Sequence, residues 1–73
     1  MGAGPTPDQV RRAERKAAAE CKEFTAKYDV PATARIIRAS NGEAAMLYEA
    51  DGHSALSIAE LSIILESARQ NKL

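Results

Sequence analysis

The chain has 73 residues, with ten Lys and Arg against ten Asp and Glu, one His, one Cys and no Trp. That length holds one domain with little room for an enclosed active-site cavity. A net charge of zero argues against a protein that works as a polycation on nucleic acid. One cysteine excludes an internal disulfide, and no run of about 18 apolar residues is present to cross a membrane.

Residues 1–6 read as a small, flexible leader, and residues 7–73 as a single domain. Thr6-Pro7-Asp8-Gln9 is a helix start, with Thr6 as N-cap, Pro7 at the first helical position and Gln9 completing a capping box. From there to about Tyr28 the apolar residues Val10, Ala13, Ala17, Cys21, Phe24 and Tyr28 recur at spacings of three and four. At about 100° per residue they fall within an arc of roughly 80°, one face of a helix. Asp29-Val30-Pro31 ends it, because the residue before proline avoids the helical region.

The middle of the chain supports two readings. As strands, Ala34–Ala39 and Ala44–Ala50 flank Asn41-Gly42, a strong short hairpin signal. A two-residue turn there pairs Ile37 with Met46, Ile36 with Leu47, and Arg35 with Tyr48, and leaves both faces of the ribbon partly apolar. As helices, Ser40-Asn41-Gly42-Glu43 is a capping box before a run of good helix formers. Ile36-Ile37, Tyr48 and the Asn-Gly turn favour the hairpin.

After Asp51-Gly52-His53 a second helix is predicted from Ser54 or Ser57 to about Asn71. Its main apolar face is Ile58, Leu61, Ile64, Leu65 and Ala68. Leu56, Ala59 and Ile63 form a second stripe, about 140° or more from the centre of the first, so the helix is either sandwiched or meets another chain. The expected fold is therefore α+β: helix, β-hairpin, helix, with the two helices antiparallel on one side of the hairpin. The alternative is all-α, four helices with two short middle ones. In element order the first version looks like the small head–tail joining proteins of tailed phages, a likeness that implies a connector or accessory role in a virion.

The basic residues of the first helix are the first candidates for chemistry. Arg11, Arg15 and Lys22 project along one line that stays relatively free of acids, as a phosphate-binding stripe requires. Arg12, Lys16 and Lys27 lie beside acids, with Asp8 before Arg12 and Glu23 before Lys27 in the order that favours intrahelical pairs. Asp51-Gly52-His53-Ser54-Ala55-Leu56-Ser57-Ile58-Ala59-Glu60-Leu61 resembles the phosphopantetheine attachment segment of acyl and peptidyl carrier proteins, in which a serine opens a helix. Ala55, however, follows Ser54 where that family has leucine, and a helix-capping serine accounts for the same residues. Met1-Gly2 with Thr6 matches a lipidation pattern that Pro7 disfavours.

Cys21 sits on the apolar stripe, where cysteine acts as a small hydrophobe. A Cys21–His53 pair would lack a third member and an oxyanion hole. One His and one Cys, 32 positions apart, make no zinc signature. Neither catalysis, cofactor nor metal is expected.

Fifteen of the apolar residues are alanine, and burying an alanine contributes far less than the roughly 1.5–3 kcal/mol of a large side chain. Domains this small need a staple, and association is the one left. The sequence thus predicts a soluble, cytoplasmic, non-enzymatic interaction module that self-associates, as a dimer in the simplest case, or docks on another protein to regulate or assemble it. Leu56, Ala59, Ile63 and Tyr48 are the expected contact surface, and Arg11, Arg15 and Lys22 the polar recognition residues. A nucleic-acid-binding regulator is the second reading.

Overall fold

The computed structural model describes residues 6–71, arranged as α1 (Pro7–Tyr28), β1 (Ala32–Arg38), β2 (Ala44–Ala50), β3 (His53–Ala55) and α2 (Ile58–Gln70). This is a small α+β fold, and the four-helix alternative is excluded. Met1–Pro5, with most of the expected leader and its lipidation pattern, lie outside the described residues. The start of α1 forms as its sequence dictates: the Thr6 hydroxyl accepts from the Gln9 N–H, and the Gln9 side chain accepts from the Thr6 N–H. At the other end Asp29 adopts a left-handed conformation (φ 59°) and its N–H donates to the Thr25 carbonyl.

β1 and β2 pair antiparallel, but with Ile36 opposite Met46 and Arg35 opposite Leu47. The expected two-residue turn is corrected to a three-residue loop. The Ala39 carbonyl accepts from the Gly42 N–H and the Ala39 N–H donates to the Glu43 carbonyl, both at 2.8 Å, with Gly42 at φ 86°. A type I turn followed by a left-handed glycine carries the right-handed strand twist through such a loop. The extra residue shifts the register by one, so Tyr48 faces the same way as Ala34 rather than Arg35. Met46, Tyr48 and Ala50 thereby share a face with Ala32, Ala34 and Ile36, and the helices pack there. The opposite face carries Ile37, Ala45 and Leu47, all half-buried, beside an Arg35–Glu49 pair at 3.4 Å.

β3 was not expected. Asp51 (φ 51°) and Gly52 (φ 81°) make a two-residue turn with both positions left-handed, and β3 returns with Tyr48 opposite Ala55 and Ala50 opposite His53. The sheet order is β1-β2-β3, so the layout is not helix, hairpin, helix. One more strand means one more reversal of chain direction, and the expected antiparallel helices are corrected to parallel ones. Ile58, at the start of α2, borders the same depression as Glu20 and Phe24. The last turns meet as well: Arg69 donates to the Tyr28 carbonyl at 2.8 Å, and Tyr28 donates to Glu66. Ser54, a candidate helix start, lies in β3; Ser57 is the N-cap of α2, accepting from the Glu60 N–H at 3.1 Å.

The core is Ala17, Cys21, Phe24 and Tyr28 of α1, Tyr48, Ala50 and Ala55 of the sheet, and Leu61 and Leu65 of α2. Among the described residues only Leu61 and Leu65 are large and fully buried, so they supply most of α2's hold, at roughly 1.5–3 kcal/mol each. The alanines beneath let the helices sit close to the sheet. The rings of Phe24 and Tyr28 stack obliquely at 4.6 Å between centroids. Arg69, 5.6 Å above the Tyr28 ring, covers it from α2.

Candidate interaction surfaces

Leu61 and Leu65 set the rotation of α2, and helical periodicity then turns Ile63 directly away from them. Ile63 is 68% exposed and Leu56, just before the N-cap, 59%; Ala59 is exposed between them. Ala59 and Ile63 therefore share the solvent side of α2's first two turns, and Leu56 stands exposed ahead of them, before the helix begins. Leu56 and Ala59 border a depression shared with Ala13 of α1 and Met46 of β2. Lys16 and Glu20 give this apolar strip a charged rim.

Tyr48, expected in the same surface, is 8% exposed and belongs to the core. The corrected register is the reason: it turns the ring under α1, where its hydroxyl donates to Glu20 at 2.7 Å. Burial, followed by the hydrogen bond to the Glu20 carboxylate, pushes the Tyr48 hydroxyl up to about 12.

The basic line is less free of acids than its spacing implies. Arg11 stands 4.0 Å from Asp8, and Glu14 lines the same groove as Lys22. Arg15 and Lys22 are exposed, as is nearly all of α1 before Ala17 except the half-buried Val10.

The groove that holds Glu14 and Lys22 has no counterpart in the sequence reading. It runs along the outer edge of β1, lined by Ala18, Cys21, Thr25 and Ala26 of α1 and by Ala32, Thr33 and Ala34 of the strand, with a volume of about 720 Å³. β1 is an edge strand because β2 lies on its other side. A continuous hydrophobic run would have hinted at an interior strand; β1, with Thr33, Arg35 and Arg38 interleaved, carries no such run.

Cys21 is buried in this groove's wall, and burial, with Glu20 next to it, pushes its thiol up. That is the opposite of what a nucleophile needs. His53 lies in β3, at the other edge of the sheet, so the two are not brought together. Among the described residues no group of three His, Cys, Asp or Glu is placed to hold a metal ion, and no helix is long and apolar enough to cross a membrane. Comparisons with protein-family models, curated proteins and solved structures give no match.

Proposed function

We propose that this chain is a small non-enzymatic interaction module that docks on another protein, to regulate or assemble it, through the outward side of α2. One observation carries the reading: two of the largest apolar side chains, Leu56 just before α2 and Ile63 on its outward side, are more than half exposed, with the exposed Ala59 between them in the chain. The fold does not require them there. α2 already holds to the sheet through Leu61 and Leu65, and a polar residue at either exposed position would cost the domain almost nothing. An apolar surface at the start of a helix, with Lys16 and Glu20 beside Leu56 and Ala59, suits a hydrophobic groove on a partner.

The test compares capture from the native host by the wild-type chain and by Leu56→Asp/Ile63→Asp, with circular dichroism and melting as the fold control. A protein retained by the first and lost by the second supports the reading. Equal capture by both, with the fold intact, refutes it. The nucleic-acid reading of Arg11, Arg15 and Lys22 ranks lower, because Asp8 and Glu14 lie among those cations; a salt-dependent gel shift abolished by charge reversal there would restore it. A phage connector role rests on element order, which β3 changes.

A further inference from the structure

β1 leaves one side of its backbone unpaired. In the hairpin, Ala39 and Glu43 form a hydrogen-bonded pair, and such pairs alternate along an antiparallel ladder. Thr33, Arg35 and Ile37 therefore direct their N–H and C=O groups toward β2, and Ala32, Ala34, Ile36 and Arg38 direct theirs outward. The Ala32 N–H is already taken, donating to Thr25 Oγ1 at 3.2 Å. Ala34, Ile36 and Arg38 remain as an open ladder at the mouth of the groove. No proline, bulge or covering element of the described residues blocks it, so of the usual edge protections only the charges of Arg35 and Arg38 are present. Ile36, in the middle of the open ladder, is the third exposed large hydrophobic of the domain.

We infer that a second copy of this chain adds to the free edge of β1, antiparallel and with Ile36 opposite Ile36, joining two three-stranded sheets into one of six strands. The proposal shares the premise that the chain is an interaction module but uses a different surface from α2. Three features select the second copy and this register. Pairing about Ile36 sets Ala34 against Arg38 and Arg35 against Ile37, so the outward N–H and C=O groups of Ala34, Ile36 and Arg38 all find partners and no like charges face each other. Pairing about Arg35 would oppose two arginines and compete for the Ala32 N–H.

The second feature is on α1. Its groove side carries Arg11, Glu14, Ala18, Lys22 and Thr25, a set symmetric about Ala18. When two copies of α1 run antiparallel about that point, each Glu14 meets Lys22 of the other copy and each Arg11 meets Thr25. The small Ala18 lets the backbones approach at the axis. A surface that is complementary to itself under a two-fold rotation is what an isologous dimer needs.

The third feature is that these two axes coincide. Thr25 and Ala32 are level, since they are hydrogen bonded. Ala18 lies seven residues back along the helix, about 10.5 Å at 1.5 Å per residue, and Ile36 four residues along the strand, about 13 Å at 3.3 Å per residue. One two-fold axis therefore serves both contacts to within a single strand residue.

Sedimentation equilibrium of the full chain at micromolar to millimolar concentration should give twice the monomer mass. Ile36→Pro removes an outward N–H without touching the β1–β2 ladder and should leave a folded monomer. Glu14→Lys should weaken the dimer roughly tenfold by opposing two lysines across each contact, and adding Lys22→Glu should restore it. A wild-type monomer throughout overturns the proposal, as does a dimer indifferent to Ile36→Pro. If Ile36→Pro does not fold, the charge exchange decides: no loss with Glu14→Lys, or no recovery in the double variant, overturns it. Leu56→Asp/Ile63→Asp should dimerise normally, so the two readings fail separately.

Discussion

The two helices lie on the same face of one sheet, and each buries a single stripe, yet their outward sides differ. α1 turns Arg12, Lys16, Glu23 and Lys27 to solvent; α2 turns Ala59 and Ile63. The stripe facing the sheet is demanded by the fold in both cases. The outward side is free to vary, and α1 shows what solvent alone selects: charge. The apolar exterior of α2 is thus surplus to folding, which is why it carries the functional reading. α1 also outruns the sheet: its 22 residues span about 33 Å, and most of those before Ala17 are exposed.

The contrast can be broken most severely from the inside of α2. Leu65→Ala empties a site that is 1% exposed and should cost about 2–5 kcal/mol in urea unfolding. Raising the pH attacks the seam between α1 and the sheet. The Tyr48 hydroxyl titrates near its ordinary value of 10 when unfolded and at about 12 when folded. The unfolded chain therefore loses this proton first, and the stability tied to it is present below pH 10 and falls as pH rises toward 12, by something of order 2 kcal/mol. Denaturant midpoints at pH 9 and 11.5 should show the fall, and Tyr48→Phe should remove its share.

Gly52→Ala strains the left-handed turn that makes β3 and orients α2, and should cost about 1–2 kcal/mol. The caps sharpen the comparison further. Ser57→Ala should lower global stability by about 1 kcal/mol, since α2 starts against the core. Thr6→Ala should lower it less and appear instead as faster amide exchange in the first turns of α1, which bury little. Smallest of all, Ile63→Ser should stay within about 0.5 kcal/mol of wild type; a larger loss would mean that Ile63 belongs to the fold.

Much of this architecture could be read directly from residue order. Thr6 to Gln9 announces the start of α1, and three-and-four spacing names Val10, Ala13, Ala17, Cys21, Phe24 and Tyr28 as its stripe, of which the last four are buried; of Ile58, Leu61, Ile64, Leu65 and Ala68 on α2, the two leucines are. Of the second stripe, Ala59 and Ile63 were legible because helical periodicity is local, whereas Leu56 lies ahead of the N-cap Ser57 and outside the helix. The hairpin was legible, its register less so: Asn41-Gly42 fits a two-residue or a three-residue loop, and the choice turns on which face Tyr48 must offer to α1. β3 carried a signal in Asp51-Gly52, but three residues are too few to display alternation, so the expected second helix followed the turn directly. The β1 groove had no local signal at all.

Sequence alone therefore determined the two helices and most of their buried stripes, and favoured the hairpin, since capping, helical period and glycine turns act over a few residues. Tertiary structure decided everything that depends on counting reversals or on what lies beside what. The extra strand made the helices parallel, the one-residue loop extension moved Tyr48 into the core, and the strand order left β1 at an edge. Those outcomes follow from packing across the sheet, where residues far apart in the chain compete for one face, and no window of neighbours contains that competition.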